Sequence, residues 1–293
     1  MSRSQASSNM LSISGSTGVY AIIGDPIAHT LSPAIHNAAF KSLNMNRVYV
    51  PFRVRENELG RAFAGLKSLG VLGINVTMPH KSSVLRLLDT IDATAKEIGA
   101  VNTVVRKGAG FHGYNTDGEA AVTVLSRLGS LSDRKIVILG AGGTASAIAY
   151  QLAKTAESIV ILNRTRSKGA RLAYDITKRK GASCQAYPLD RRNICREAAR
   201  GDLLINTIPV SVFPRLGKIL IQERLVTRDM LLMDVNYESK SDFLSEAKLS
   251  GATIIDGIEM LIGQAALSFK LWTGLDAPIN VMRKAAAEAR SKR

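Results

Sequence analysis

The chain has 293 residues, 46% of them hydrophobic and 5% aromatic, and 39 Lys and Arg against 24 Asp and Glu give a formal net charge of +15. That length suggests about two domains, each with a sizeable core, and no apolar run approaches the ~20 residues of a membrane span. Two cysteines, Cys184 and Cys195, make neither a disulfide framework nor a zinc pattern, and both are expected to be free.

Residues 1–18 are rich in Ser and lack a hydrophobic segment, so a disordered tail is expected rather than a secretory signal, and a cytoplasmic protein is the default. Gly18 to Gly24 then predicts a first strand ending in a turn. Pro33 suits the first turn of a helix running to Phe40, with Ser32 as its N-cap. Thr30 and Ser32 either cap that helix or, with its amides, hold a carboxylate. Val48 to Phe52 predicts a second strand, and Glu58 to Leu69 a helix ended by Gly70. Gly73 to Thr77 predicts a third strand, which breaks at Met78-Pro79 and opens into a helix containing Lys81. Polar side chains at the C-terminal end of such a strand commonly face the ligand crevice of an open α/β sheet, which places Asn75, Thr77 and Lys81 there. Two further polar clusters, Gly99 to Thr103 and Gly113 to Gly118, end apolar stretches, and Glu119 to Leu128 follows as a helix. Asp117 would lie at a domain boundary; taken alone, it reads as an exposed cap.

Ile136-Val137-Ile138-Leu139, then Gly140-Ala141-Gly142-Gly143-Thr144-Ala145, then a small-residue helical run spell strand, glycine turn and helix. A second apolar run, Ser158 to Leu162, stops at Asn163-Arg164-Thr165, roughly 20 residues after the turn, where dinucleotide folds read the ribose. Gly140 permits the tight turn, Gly142 lets the backbone approach a pyrophosphate, and Ala145 allows close packing of helix on strand. No carboxylate ends the second strand; Arg164 and Lys168 suit a 2′-phosphate, so NADP is expected rather than NAD. The basic stretch from Arg164 to Arg200 reads as a solvated face helped by an anionic cofactor. Without interleaved aromatics or a known motif, a nucleic-acid partner is disfavoured. Asp202 to Pro209, Met230 to Tyr237 and Thr253 to Gly257 predict further strands. Phe243 to Ser250, Met260 to Trp272 and Pro278 to Ala289 predict helices. His29, His36, His80 and His112 show no metal spacing and are expected to make local hydrogen bonds.

Gly24-Asp25-Pro26-Ile27-Ala28-His29-Thr30-Leu31-Ser32-Pro33 with His36-Asn37, Asn75-Val76-Thr77-Met78-Pro79-His80-Lys81, Gly99 to Thr103, Asn115-Thr116-Asp117-Gly118, the glycine turn, Asn163-Arg164-Thr165, and Asp256-Gly257-Ile258-Glu259-Met260-Leu261 with Gln264 occur in one order. In that order they resemble the shikimate dehydrogenase family over about Tyr20 to Val281. The resemblance implies a two-domain α/β fold: a substrate-binding catalytic domain of residues 19–118 and 256–293, and a Rossmann-like NADP-binding domain of residues 119–255. It further implies that Thr30 and Ser32 hold the substrate carboxylate, that Asn75, Thr77, Asn102, Tyr237 and Gln264 surround the ring, and that Lys81 and Asp117 form the catalytic pair. Thr207, Val235 and Gly257 join the glycine turn as cofactor-side positions. The implied reaction is NADP-dependent oxidation of the C3 hydroxyl of shikimate to a ketone, a small-molecule reaction without a membrane; a homodimer is left open. Departures from the family pattern are Thr30 for Ser, Pro209-Val210-Ser211-Val212 for a segment with Gly-Met, no Pro or Thr within Glu238 to Asp242, and Ala120 and Glu259 where Gly is frequent. Two alternatives stand beside this reading: a quinate/shikimate dehydrogenase with relaxed substrate or NAD use, and a noncatalytic ligand or nucleic-acid binding protein.

Overall fold

The structure is a computed structural model and describes residues 13–209, 212–213, 216–237 and 242–292. The Ser-rich segment expected as a tail therefore lies outside the described residues up to residue 12. Residues 13–17 form a turn docked on Asn46, to which the Thr17 hydroxyl donates at 2.7 Å.

Two six-stranded sheets organise the chain. The first contains β1 (Gly18–Gly24), β2 (Arg47–Arg53), β3 (Gly73–Val76), β4 (Thr90–Ile91), β5 (Thr103–Lys107) and β6 (Gly110–Tyr114), in the spatial order β2-β1-β3-β5-β6-β4. β1 runs parallel to β2 and β3, whereas β3, β5 and β6 pair antiparallel. α1 (Ser32–Ser42), α2 (Leu59–Ser68) and α3 (Ala93–Ile98) connect these strands. The second sheet is wholly parallel: β7 (Lys135–Leu139), β8 (Ser158–Asn163), β9 (Ser183–Pro188), β10 (Leu203–Asn206), β11 (Leu231–Asp234) and β12 (Thr253–Ile255), ordered β12-β11-β10-β7-β8-β9. β10 and β11 are buried at every position, as expected of strands covered on both faces, and this is why they read as continuous apolar runs.

The covering helices are α5 (Gly143–Leu152), α6 (Arg166–Lys180), α7 (Arg191–Ala198), α8 (Leu216–Gln222) and α9 (Asp242–Leu249). α4 (Asp117–Ser126) leads out of the first sheet into the second and starts before the 118/119 division expected from sequence. α10 (Gly257–Thr273) and α11 (Ile279–Ser291) return to the first sheet. Their Leu261, Ile262, Phe269, Met282 and Ala286 form one buried cluster with Tyr20, Ile22, Ile35, Ala39 and Phe40.

Three local expectations are corrected. Ser32 is not the N-cap of α1; Leu31 holds that position, and Ser32 is the first helical residue. Lys81 stands on a turn that precedes a short 3-10 helix, Ser83–Leu87, rather than within an α-helix. Asp117 is no exposed cap: it opens α4 at 2% exposure, its carboxylate enclosed by Lys81, Asn102 and Thr144.

Candidate active site

The crevice lies between the sheets, at the C-terminal ends of β3, β10 and β11. Strand order reverses between β7 and β10 in the second sheet, the switch point where open α/β sheets bind ligands. A cavity of about 210 Å³ opens here, lined by Ser32, Asn75, Thr77, Lys81, Asn102, Asp117, Thr144, Tyr237 and Gln264 among others. Eight of the nine residues expected at the catalytic and substrate positions thus meet in one space. Thr30 does not line it; its hydroxyl oxygen accepts from the Ser32 N–H at 3.3 Å and stands behind the α1 N-terminus.

Lys81 Nζ donates to Asp117 Oδ2 at 2.5 Å and to Thr144 Oγ1 at 2.9 Å. Thr144 Oγ1 donates in turn to Asp117 Oδ2 at 3.2 Å. The other carboxylate oxygen, Asp117 Oδ1, accepts from Asn102 Nδ2 at 2.7 Å. That amide also approaches Gln264 Oε1 at 3.0 Å, joining α10 to the pair. The ion pair is largely enclosed, with side-chain exposures of 16% for Lys81 and 3% for Asp117. Breaking such a pair leaves an uncompensated buried charge, typically a loss of ~3–5 kcal/mol.

Beneath the cavity floor, Asn75 Oδ1 accepts from the Tyr49 hydroxyl at 2.7 Å, and Asn75 Nδ2 donates to Ser268 Oγ at 3.1 Å. Burial pushes the Tyr49 phenol well above its ordinary range and keeps it a donor. Sequence reading gives no site role to Tyr49 or Ser268. Ser268 was within reach of it: it follows Gln264 by four residues, on the same helical face.

The glycine turn has the geometry of an anion cradle. Gly140 adopts φ +112°, and a Cβ there would lie 2.4 Å from Thr207 Oγ1. No side chain caps α5, whose N-cap is Gly142, so its first amides are open to a phosphate. Ala145 is fully buried among β7 and α5 residues. At the end of β8, Asn163 Nδ2 donates to the Thr165 carbonyl at 2.8 Å. Arg164 and Lys168 are exposed there, and neither joins an ion pair among the described residues. These residues fit an NADP pyrophosphate and 2′-phosphate. Thr207 donates its hydroxyl to the Leu139 carbonyl at 2.6 Å, while Val235 and Gly257 line the 210 Å³ cavity. Gly257 serves a close approach: a Cβ would sit 2.7 Å from the Val235 and Asn236 carbonyl oxygens. Val210, Ser211 and residues 238–241 of the two departing loops lie outside the described residues.

Comparison with known proteins bears on this arrangement. Residues 22–104 match the family model for the shikimate dehydrogenase substrate binding domain. Residues 123–235 match the shikimate / quinate 5-dehydrogenase model, and residues 257–287 the shikimate 5′-dehydrogenase C-terminal domain. The shikimate dehydrogenase (NADP(+)) of Methanopyrus kandleri is 42% identical over 283 residues, covering 95% of this chain and 98% of that protein. A shikimate dehydrogenase crystal structure in complex with NADP+ superposes with a TM-score of 0.85 at 38% identity, covering 94% of this chain and 97% of the other. The Thermus thermophilus enzyme, solved with NADP(H) and shikimate, gives 0.78 at 31% identity over 93% and 99%. With three family models spanning both halves in order and relatives matched nearly end to end, the chain belongs to the shikimate dehydrogenase family.

Proposed function

We propose that this protein is an NADP-dependent shikimate dehydrogenase that reversibly oxidises the C3 hydroxyl of shikimate to the ketone of 3-dehydroshikimate, with Lys81 and Asp117 as its proton-transfer pair. The observation that carries the reading is the Lys81–Asp117 contact at 2.5 Å, set in a cavity that also receives Asn102 and Gln264. A module that only binds a ligand has no need of a buried lysine paired with a buried carboxylate.

NADP, when bound, accepts the hydride from C3. Neutral Lys81 takes the hydroxyl proton as the ketone forms, and returns it to the C3 oxygen in the reverse direction. Asp117 and Thr144 hold Nζ at the cavity for both directions of proton transfer. Asn75, Thr77, Asn102, Tyr237 and Gln264 orient the ring, and Ser32 at the N-terminal end of α1 takes the carboxylate, with Thr30 behind it. The exposed Arg164, with Asn163, Thr165 and Lys168, pairs the 2′-phosphate and selects NADP over NAD. A cytoplasmic location goes with this reading; no helix among the described residues is long and apolar enough to cross a membrane.

A broader quinate/shikimate activity is the second reading, favoured by the shikimate / quinate description of the model matching residues 123–235. Nicotinamide absorbance, with shikimate and quinate crossed against NADP and NAD, tests both. Turnover confined to shikimate with NADP, reduced ~10²–10⁴-fold in Lys81→Ala, is expected from the usual worth of general acid–base catalysis. Quinate or NAD turnover at a similar rate selects the second reading, and near-normal turnover by Lys81→Ala removes the lysine from the mechanism.

A further inference from the structure

The hydroxyl of Thr144 occupies the joint between the two halves of the molecule. Thr144 is the second residue of α5 and belongs to the glycine turn, the element expected to cradle the dinucleotide phosphates. Its side chain nevertheless turns to the proton-transfer pair. Oγ1 accepts from Lys81 Nζ at 2.9 Å and donates to Asp117 Oδ2 at 3.2 Å. With donor and acceptor both engaged, the hydroxyl is committed to that pair.

The backbone around it is equally tied to the lysine. A Cβ on Gly143 would lie 3.1 Å from Lys81 Cβ and 3.2 Å from Ala100 Cβ, so the turn rests directly on the lysine stem. The hydroxyl is thus delivered from a fixed helix start. A lysine ammonium has three N–H donors. Asp117 and Thr144 take two, and the third is left to face the cavity. Held at Asp117 alone, Nζ could swing about that single contact; the second acceptor fixes the direction of the third N–H.

We propose that Thr144 is a positioning residue for proton transfer, so that the turn which holds the dinucleotide also aims the lysine at the substrate hydroxyl. The sites that receive hydride and proton are then set by one element. The inference rests on the reading of Lys81 and Asp117 given above. Without that acceptor the lysine is less well aimed at the substrate hydroxyl.

The test compares wild type, Thr144→Val, Thr144→Ala, Thr144→Ser and Lys81→Ala in shikimate oxidation across pH, with melting curves for each. Val keeps the shape and removes the hydroxyl; Ala removes the hydroxyl with the methyl group and serves should Val fail to fold. The expected result for either is a plateau kcat lowered about tenfold, the usual worth of a hydrogen bond to a charged group. KM for shikimate and NADP should stay nearly unchanged. Ser should restore the rate. An inactive Lys81→Ala beside Val and Ala variants with wild-type kcat would overturn this inference alone. A rise confined to the KM for NADP would overturn it in favour of phosphate binding. An active Lys81→Ala would instead remove the reading on which it rests.

Discussion

His36 is a titratable side chain enclosed at 1% exposure, stacked on the Tyr49 ring at a centroid distance of 4.5 Å, with Nδ1 lacking a hydrogen-bond partner. Burial lowers its pKa from 6.5 to about 3. The unfolded chain therefore binds a proton that the folded one refuses: the stability is fully present above the unfolded pKa and is lost as pH falls towards 3. Urea unfolding at pH 7 and pH 5 should show wild type losing about 2 kcal/mol more between those pH values than His36→Phe does. An equal pH dependence in both would place the acid sensitivity elsewhere. The expectation of local hydrogen bonding suits His80 and His112 better, with His80 Nε2 2.6 Å from the Val54 carbonyl oxygen and His112 bonded to Thr90. A residue's spacing assigns it to a helix face; whether a ring or an acceptor waits there is decided by Tyr49 and Trp272 from elsewhere in the chain. Asp117 teaches the same lesson, because Lys81, Asn102 and Thr144, which enclose it, come from three other places in the chain.

Among the elements, those with unbroken apolar runs were plain from sequence: β1, β7, β8 and the long helix α10 all lie close to their expected places. The β5–β6 hairpin, α6, β9 and α7 were not assigned. In α6 and α7 the basic residues dominate the pattern, and only Gly169, Leu172, Ala173 and Ile176 mark the buried stripe of α6. The joint at the start of α10 was visible as a motif but not as packing. Asp234 Oδ1 at the end of β11 accepts from Asn206 Nδ2 at 3.1 Å and from Asn236 Nδ2 at 2.7 Å; the Asn236 amide also donates to the Ile208 carbonyl at 2.8 Å. The segment after β11 is thus pinned to the end of β10, and α10 is laid against it at Gly257. A methyl group there meets backbone oxygens, which cannot rotate away. Gly257→Ala should cost ~1–3 kcal/mol in unfolding free energy as an overpacking change. It should also lower kcat/KM for shikimate by ~10²-fold, because Met260 and Gln264 move with the helix. Wild-type kinetics with unchanged stability would show that α10 can shift without consequence.

At the scale of the molecule, the first sheet is covered by chain from both ends. Asn75 and Ser268, joined at 3.1 Å, are 193 residues apart in sequence, and Met282 and Ala286 on α11 are wholly buried against α1. Each large apolar side chain so covered contributes ~1.5–3 kcal/mol. A chain ending at residue 278 lacks α11 and leaves Ile35, Ala39 and Phe40 uncovered. It should lose its cooperative melting transition or aggregate, whereas loss of the Lys292-Arg293 end should leave the melting curve unchanged; a soluble, cooperatively melting truncation would contradict this. The separation bears on synthesis as well. The parallel sheet is one continuous stretch, β7 to β12, and can close as soon as residue 255 has left the ribosome; the sheet begun at residue 18 must wait for α10 and α11. The half of the protein made first is therefore finished last, and until the chain beyond Gly257 emerges its apolar α1 face is the part of the nascent chain most in need of shelter.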